Sequence, residues 1–409
     1  MLVAGEASGD LLAAELAADL RAREPDAVLF GAGGPRMAAA GVELVRDMSR
    51  LSVVGITDVL ARIFELRRLM QQLLAIAAAR QPDVIIGIDY GGFNLRFGHA
   101  IQQQVRNNPF GTWKPKVVQF VSPQVWASRP GRANRMAADY DLLLSIFPFE
   151  KDWYARRVPQ LRVEFVGHPM VGRFAGTQPR ELETAFNASQ SPRILLLPGS
   201  RKSELRRHLP PLLDAWKIVQ DKFPLAKATM VLPETRLLSL IHREMARRLP
   251  GKLRSPAAPT LDGTQRLGEQ CFPGLTLQIG ELPSALAQAD LAMAKTGTVT
   301  MECAFFGVPA VTFYKGSWLN YQIARRLITV KTFTMPNLLA NEEVYPEFLQ
   351  NALTAENLAH AALALLQTPL RRQLVKVQLA QVIASLGPPG APDRAAETIL
   401  NLLNEPAAL

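Results

Sequence analysis

The stretch RILLLPG, residues 193–199, decides how this chain is read. Four successive apolar side chains, Ile194 to Leu197, are too few for a helix and unbroken by polar residues. Pro198 and Gly199 then stop the run, so it reads as a strand buried on both faces. Ahead of it the pattern lapses through GHPMVGRFAGTQPRELETAFNASQSP (167–192). Behind it the chain resumes as LPPLLDAWKIVQDKF (209–223), a helix opened by proline, with strands KATMVLP (227–233), LTLQIG (275–280), DLAMAK (290–295) and PAVTFY (309–314). The strand at 193 therefore opens a second domain.

The half before it has the same rhythm. Strands are expected at Leu2–Ala4, Val28–Gly31, Val84–Ile88, Val117–Val121, Leu142–Ile146 and Val163–Val166. Helical patterns fill 11–22, 57–80, 94–106 and 148–157. Strands alternating with helices at this spacing form parallel sheets covered on both faces. The fold class is α/β, two Rossmann-like doubly wound domains with a cleft between the carboxyl edges of their sheets. The expected division is a first domain over 1–170, a linker over 171–192, a second domain over 193–345, and Ala/Leu-rich helices over 346–409 that pack back across the domains or on a partner subunit. The Pro- and Gly-rich stretch 250–273 reads as a surface insertion.

In 409 residues, 48% hydrophobic, there is material for two cores. Lys and Arg number 46 against 36 acids, a net charge of +10, which points to an anionic partner: nucleic acid, a phosphorylated ligand or a membrane surface. Cys271 and Cys303 are too few for a disulfide framework and lack metal-ligand spacing. No secretory leader is expected from the opening residues, and no apolar run approaches the roughly 18 residues of a membrane span. Any membrane contact is expected to be peripheral.

Turns at strand ends hold the candidate chemistry. In LLLPGSRKSE (195–204), Gly199 and Ser200 let backbone amides approach an anion, and Arg201 offers a planar fork. A plain Gly-Ser turn would look the same. In AKTGTVTMECAFFGVP (294–309), Thr296, Gly297 and Thr298 precede a helix whose first turns carry Glu302. That suits an anion at the helix start and a sugar diol one turn on, or simply an N-cap. In VIIGIDYGGFN (84–94), Asp89 ends a buried strand, placed as a general base or as an Asx turn. His168, before proline, reads as structural. VAGEASGD (3–10) crowds Glu6, Ser8, Gly9 and Asp10 into the first turn. Its acids make it a poor diphosphate cradle, which moves a nucleotide to the second domain. The helix 57–80 carries more apolar surface than a core stripe needs. Ile63, Leu66, Met70, Leu73 and Ala77 share one face, with Leu60, Phe64 and Leu74 beyond it beside Arg67 and Arg68. It lies in a membrane interface or is buried on two sides.

The ordered set AGEASGD, GAGGPRMAAAG, LSVVGITDVL, GIDYGGFN, VSPQVWAS, FPFEKDWY, GHPM, LLPGSRKSE, GTVTMEC and MPNLLA resembles the lipid-A-disaccharide synthase family over roughly residues 3–345. The resemblance implies the GT-B glycosyltransferase architecture and an inverting transfer. UDP-2,3-diacylglucosamine would donate its sugar to 2,3-diacylglucosamine 1-phosphate, giving a β-1,6-linked disaccharide phosphate and UDP in lipopolysaccharide biosynthesis. No cofactor or metal is implied. By the same resemblance Asp89 is the base, and Gly199, Ser200, Arg201, Glu204, Lys295, Thr296, Gly297, Thr298, Glu302 and Asn337 serve the UDP-sugar. Glu6, Ser8, Gly9 and Asp10 line the acceptor side. Leu60, Phe64, Leu66, Arg67, Arg68, Leu69 and Leu73 would dock on the inner face of the inner membrane, from the cytoplasm. Nucleic acid is not an expected partner, and the Ala/Leu-rich tail would permit a homodimer. The chain departs from the family at Lys295, where SGT is usual, at Gly92, where a second acid is common, and at Ser128, where a second Trp is common. Rival expectations are another UDP-GlcNAc enzyme of this architecture, an epimerase or polyprenyl-linked sugar transferase, and a non-catalytic nucleotide-sugar-binding protein at the membrane.

Overall fold

A computed structural model describes residues 1–48, 59–108, 111–174, 176, 191–247, 264–266, 272–328 and 330–405. Most of 171–192 and of 250–273 lies outside them, as does the side chain of Leu60. The chain divides into two compact units, Met1–Ala175 with Leu386–Leu409, and Gly176–Ser385.

Unit 1 is built on strands Leu2–Ala4 (β1), Phe30–Gly33 (β2), Glu43–Asp47 (β3), Val84–Ile88 (β4), Lys116–Phe120 (β5), Leu142–Ser145 (β6) and Val163–Phe165 (β7). They pair in parallel in the order β3-β2-β1-β4-β5-β6-β7. Covering them are helices Ala7–Arg23 (α1), Pro35–Ala39 (α2), Val59–Arg80 (α3), Gly91–Asn107 (α4), Val125–Ser128 (α5), Arg132–Asp139 (α6), Pro148–Ala155 (α7) and Pro169–Arg173 (α8). The central strands are buried throughout, which is why they read as unbroken apolar runs. The edge strand β3 was not expected, since its residues are half-buried or exposed and carry charges.

Unit 2 repeats the plan with Arg193–Leu197 (β8), Lys227–Leu232 (β9), Thr264–Arg266 (β10), Leu275–Ile279 (β11), Leu291–Lys295 (β12), Ala310–Tyr314 (β13) and Glu347–Leu349 (β14). The order is β10-β11-β9-β8-β12-β13-β14, parallel except for β10. Its helices are Lys202–Lys222 (α9), Leu238–Ala246 (α10), Leu282–Leu286 (α11), Thr298–Phe305 (α12), Trp318–Leu327 (α13), Met335–Ala340 (α14), Ala355–Gln367 (α15) and Pro369–Ser385 (α16). Two Rossmann-type sheets in sequence are the fold class expected. α9 differs from expectation: it starts at Lys202, and Pro210 and Pro211 lie inside it rather than opening it. Buried Leu205, His208 and Leu209 hold the turn before the prolines against the sheet, which offsets the ladder bonds the prolines forgo.

The tail does not stay with unit 2. Its last helix, Ala391–Asn404 (α17), packs on α1 of unit 1. The ion pairs Arg23–Asp393 and Arg162–Glu405 and the bond from His168 N–H to the Leu386 carbonyl fasten it there. Among the described residues no helix is long and apolar enough to cross a membrane.

Candidate active site

In a doubly wound sheet the chain leaves adjacent central strands in opposite directions, and the gap at their carboxyl ends receives ligands. In unit 1 that switch point falls between β1 and β4, in unit 2 between β8 and β12. The first gathers the Gly5–Asp10 turn and Asp89. The second gathers Gly199–Arg201 and Thr296–Thr298. Each unit therefore brings its own pair of expected turns together.

Asp89 follows the last residue of β4 with φ +49°, and Tyr90 with φ +45°. Two successive L-residues in the left-handed region cost about 1–2 kcal/mol each, so the surroundings must hold them. They do. Asp89 N–H donates to the Phe120 carbonyl at 2.8 Å. Its own carbonyl accepts from Asn94 Nδ2 at 2.9 Å and Gln119 Nε2 at 3.0 Å, both from fully buried side chains. The Tyr90 ring lies against Gly5, where a Cβ would fall 2.3 Å from it. This explains the glycine in the opening turn: it admits an aromatic ring of the same protein. Gly9 touches the same place, for a Cβ there would sit 3.9 Å from Asp89 Cβ. Burial raises the Asp89 carboxyl above its ordinary range; the Tyr90 amide pulls it down and the charge of Glu6 pushes it up again. A half-buried carboxyl of raised basicity on a pinned elbow suits proton transfer.

The other acids of the first turn part company. Glu6 and Ser8 are exposed. Asp10 is buried, and its carboxylate accepts from Gly34, Arg36 and Met37 N–H at 2.8, 3.1 and 3.1 Å, capping α2. Asp10 thus holds the β2–α2 loop, with both carboxylate oxygens engaged by backbone amides.

One strand further on, the motifs VSPQVWAS and FPFEKDWY meet. Trp126 Nε1 donates to Glu150 Oε1 at 2.9 Å, and Ser122 Oγ lies 3.2 Å from Tyr154 Oη. Burial pushes the Glu150 carboxyl up to about 8, with the Trp126 bond pulling the other way. His168 caps α8, accepting at Nδ1 from Met170 N–H at 3.2 Å, and burial lowers it to about 4.

In unit 2, Glu204 is the centre. It is buried in the first turn of α9, and its Oε2 accepts from Ser200 N–H at 3.2 Å. Its Oε1 lies 3.4 Å from Lys295 Nζ and 4.0 Å from Arg201 Nη1. Gly199 has φ +115°, and a Cβ there would stand 2.6 Å from the Glu204 carboxylate, so the turn needs glycine twice over. Lys295, at the end of β12, reaches across to this carboxylate with Tyr314 beneath it, ring centroid at 5.7 Å. The Arg201 guanidinium is exposed. Across the switch point Thr296 N–H donates to the Phe313 carbonyl at 2.8 Å. Gly297 and Thr298 are exposed at the start of α12, which has no side-chain cap, and Glu302 is half-buried one turn on.

Two residues stand differently from the sequence expectation. Asn337 is fully enclosed: Nδ2 donates to the Tyr345 carbonyl at 2.7 Å and Glu347 at 2.9 Å, while Oδ1 accepts from Val344 and Tyr345 N–H. It braces α14 on β14 and presents nothing to a ligand. His208, by contrast, was missed. Its Nδ1 bonds the Pro198 carbonyl at 2.8 Å and its Nε2 accepts from Lys315 N–H at 3.0 Å, so the ring is a neutral strut beneath the Gly199 turn, and burial lowers its basicity. The spacing Glu204–His208, one helical turn, was the available signal.

The expected docking helix also divides. Leu69 and Leu73 are buried against the unit 1 core with Leu66 and Met70 packed beside them. Phe64 is 66% exposed, and Arg67 and Arg68 are exposed. Leu69 and Leu73 belong to the core because the helix phase points them at the sheet.

Comparison with known proteins follows the same lines. A family described as "Lipid-A-disaccharide synthetase" matches residues 1–248 and 274–394. A lipid-A-disaccharide synthase of Solibacter usitatus is 36% identical over 407 residues, 98% of this chain and 97% of that protein. A putative UDP-N-acetylglucosamine 2-epimerase from Listeria monocytogenes superposes with a TM-score of 0.61 at 14% identity, covering 99% of this chain and 96% of that one. The glycotransferase of kitacinnamycin gives 0.57 at 18% identity, covering 98% and 99%. At such identities these two structures are alike in fold alone.

Proposed function

The chain belongs to the lipid-A-disaccharide synthetase family and is a glycosyltransferase of lipid A disaccharide synthesis, and from that premise we propose how its residues divide the work. Asp89 takes the proton of the 6-hydroxyl of 2,3-diacylglucosamine 1-phosphate as that oxygen attacks C1 of UDP-2,3-diacylglucosamine. The new C1–O bond forms on the face opposite the leaving group, the bond from C1 to the diphosphate oxygen breaks, and its electron pair leaves with UDP. Inversion gives the β-1,6 linkage. The half-buried, pinned carboxyl at the unit 1 switch point carries this reading.

The developing charge on UDP falls to unit 2. Arg201, Lys295 and the uncapped start of α12 at Gly297 and Thr298 supply positive ends, with no metal called for, and Glu302 takes the ribose diol. Glu204 acts through its neighbours, holding Lys295 and the Ser200 amide in place.

Both substrates carry acyl chains, so the enzyme works at the inner face of the inner membrane. Exposed Phe64 beside Arg67 and Arg68 supports a peripheral contact there, each cation adding about 1 kcal/mol near an anionic surface. Exposed Leu370, Leu374 and Val377 on α16 support self-association through the C-terminal helices.

Purified protein supplied with both substrates in detergent should release UDP and disaccharide phosphate at a rate that EDTA leaves unchanged. Folded, UDP-binding protein that makes no disaccharide would sink the transferase reading, and loss of rate on chelation would require a metal. Serine at Phe64 together with glutamine at Arg67 and Arg68 should abolish sedimentation with anionic vesicles; retained binding would put the docking surface elsewhere.

A further inference from the structure

A groove of about 170 Å³ opens between α4 and α6 of unit 1, room for several waters at about 30 Å³ each. Arg96, Arg132 and Arg135 line it together with Gly91 and Gly92, the first residues of α4. All three arginines are exposed, and among the described residues none makes an ion pair or side-chain hydrogen bond with an acid. The groove also holds a buried carboxylate, Asp139: its Oδ2 lies 2.8 Å from His99 Nδ1, while its Oδ1, 3.5 Å from Arg106 Nη2, accepts no hydrogen bond among the described residues. Three guanidinium groups thus share one groove lining. Arg132 loses basicity first through partial burial and then through Arg129, Arg96 and Arg135. Like charges gathered around an opening cost free energy unless an anion joins them.

The position of the groove says which anion. Gly91 and Gly92 follow Asp89 in the chain, so the Cα of Gly92 lies at most about 11 Å from that of Asp89, three steps of about 3.8 Å. The first turn of α4 adds the positive end of a 17-residue helix. Three guanidinium forks and a helix start match a phosphomonoester, which carries about −1.5 to −2 at neutral pH and oxygens enough for more than one fork.

We propose that the α4–α6 groove, through Arg96, Arg132 and Arg135, seats the 1-phosphate of the acceptor sugar while its 6-hydroxyl meets Asp89. This rests on the transferase reading above. It makes the groove a specificity site: a sugar lipid lacking the phosphate leaves the guanidinium charges unanswered. It also separates two phosphate duties, with the diphosphate of the donor held in unit 2 and the monoester of the acceptor in unit 1.

The test compares wild type, Arg132→Ala/Arg135→Ala and Arg132→Lys/Arg135→Lys in the full chain. Each is assayed with diacylglucosamine 1-phosphate and with the same acceptor lacking phosphate. Wild type should prefer the phosphorylated acceptor by at least about tenfold in kcat/KM, the scale of one charge-assisted hydrogen bond. The alanine variant should lose that preference through acceptor KM and not donor KM, and lysine should restore part of it. Calorimetry with glucosamine 1-phosphate supplies a readout that needs no turnover: wild type binds it, the alanine variant does not, and glucosamine binds neither. Arginine-dependent binding of glucosamine 1-phosphate without any disaccharide product would sink the transferase reading and leave the site standing. Undiminished preference in the alanine variant overturns the site. So does a variant that keeps the preference but no longer binds phosphatidylglycerol vesicles, which would assign the arginines to lipid headgroups.

Discussion

The two units share a strand order and a switch point, yet they treat their acids in opposite ways. In unit 1, Asp89 and Glu150 are withdrawn from water and, among the described residues, neither forms an ion pair. Both carboxyls are raised by burial. In unit 2, Glu204 is as buried, but Lys295 and Arg201 stand at 3.4 and 4.0 Å and the Ser200 amide binds it. The same scaffold thus carries unpaired, raised carboxyls in unit 1 and a carboxylate set among cations in unit 2. What differs is whether the second strand of the switch point ends in a basic residue. Lys295 closes β12, whereas β4 ends at Ile88 and runs into Asp89, where Glu6 adds a further negative charge.

The largest break in this contrast should come from Asp89→Ala. Turnover is expected to fall by about 10³-fold, in the range of lost general-base catalysis, while UDP affinity is retained. Substantial residual activity in a single-turnover assay would remove Asp89 from the base role.

A smaller change is expected from Glu204→Gln. It keeps the shape and discards the charge that Lys295 faces, so the fold should lose about 1.5–3 kcal/mol, the worth of a hydrogen bond to a charged group. Urea unfolding measures it, and an unchanged midpoint would mean that the cations of unit 2 hold themselves in place.

The finest probe is Glu150→Gln. A carboxyl whose folded value is raised, here from 4.5 to about 8, favours the fold while protonated. That contribution is complete below the unfolded value and is lost as pH rises through the folded one. Wild-type melting temperature should therefore decline between about pH 4.5 and 8, and the glutamine variant should lack that component of the slope. Parallel curves for the two proteins would show that Glu150 ionises normally.

Much of this was visible in the chain. Parallel strands covered on both faces are predominantly apolar, so β4, β8 and β12 announced themselves, and the glycine-rich turns behind them marked the strand ends where chemistry gathers. Edge strands escaped for the converse reason: β3 and β14 are half-exposed and charged, without a pattern of their own. The family resemblance singled out Asp89, Arg201 and Lys295, which stand at the strand ends of the switch points, and also Asp10 and Asn337, which are buried and bonded within the protein.

The sequence by itself determined the two α/β halves, most of their central strands and the turns able to bear a site, because hydrophobic period and turn chemistry are local properties. Tertiary structure alone decided which way each side chain faces. Asp10 finds its amides 24 to 27 residues away, Gly5 is required by a ring from Tyr90, and α17 crosses back to cover α1 from the far end of the chain. Arg96 and Arg132 become neighbours only when α4 and α6 lie side by side. The physical reason is the range of the forces: propensity acts within a turn, whereas burial, charge and hydrogen-bond satisfaction are settled by whatever the fold brings within a few ångströms.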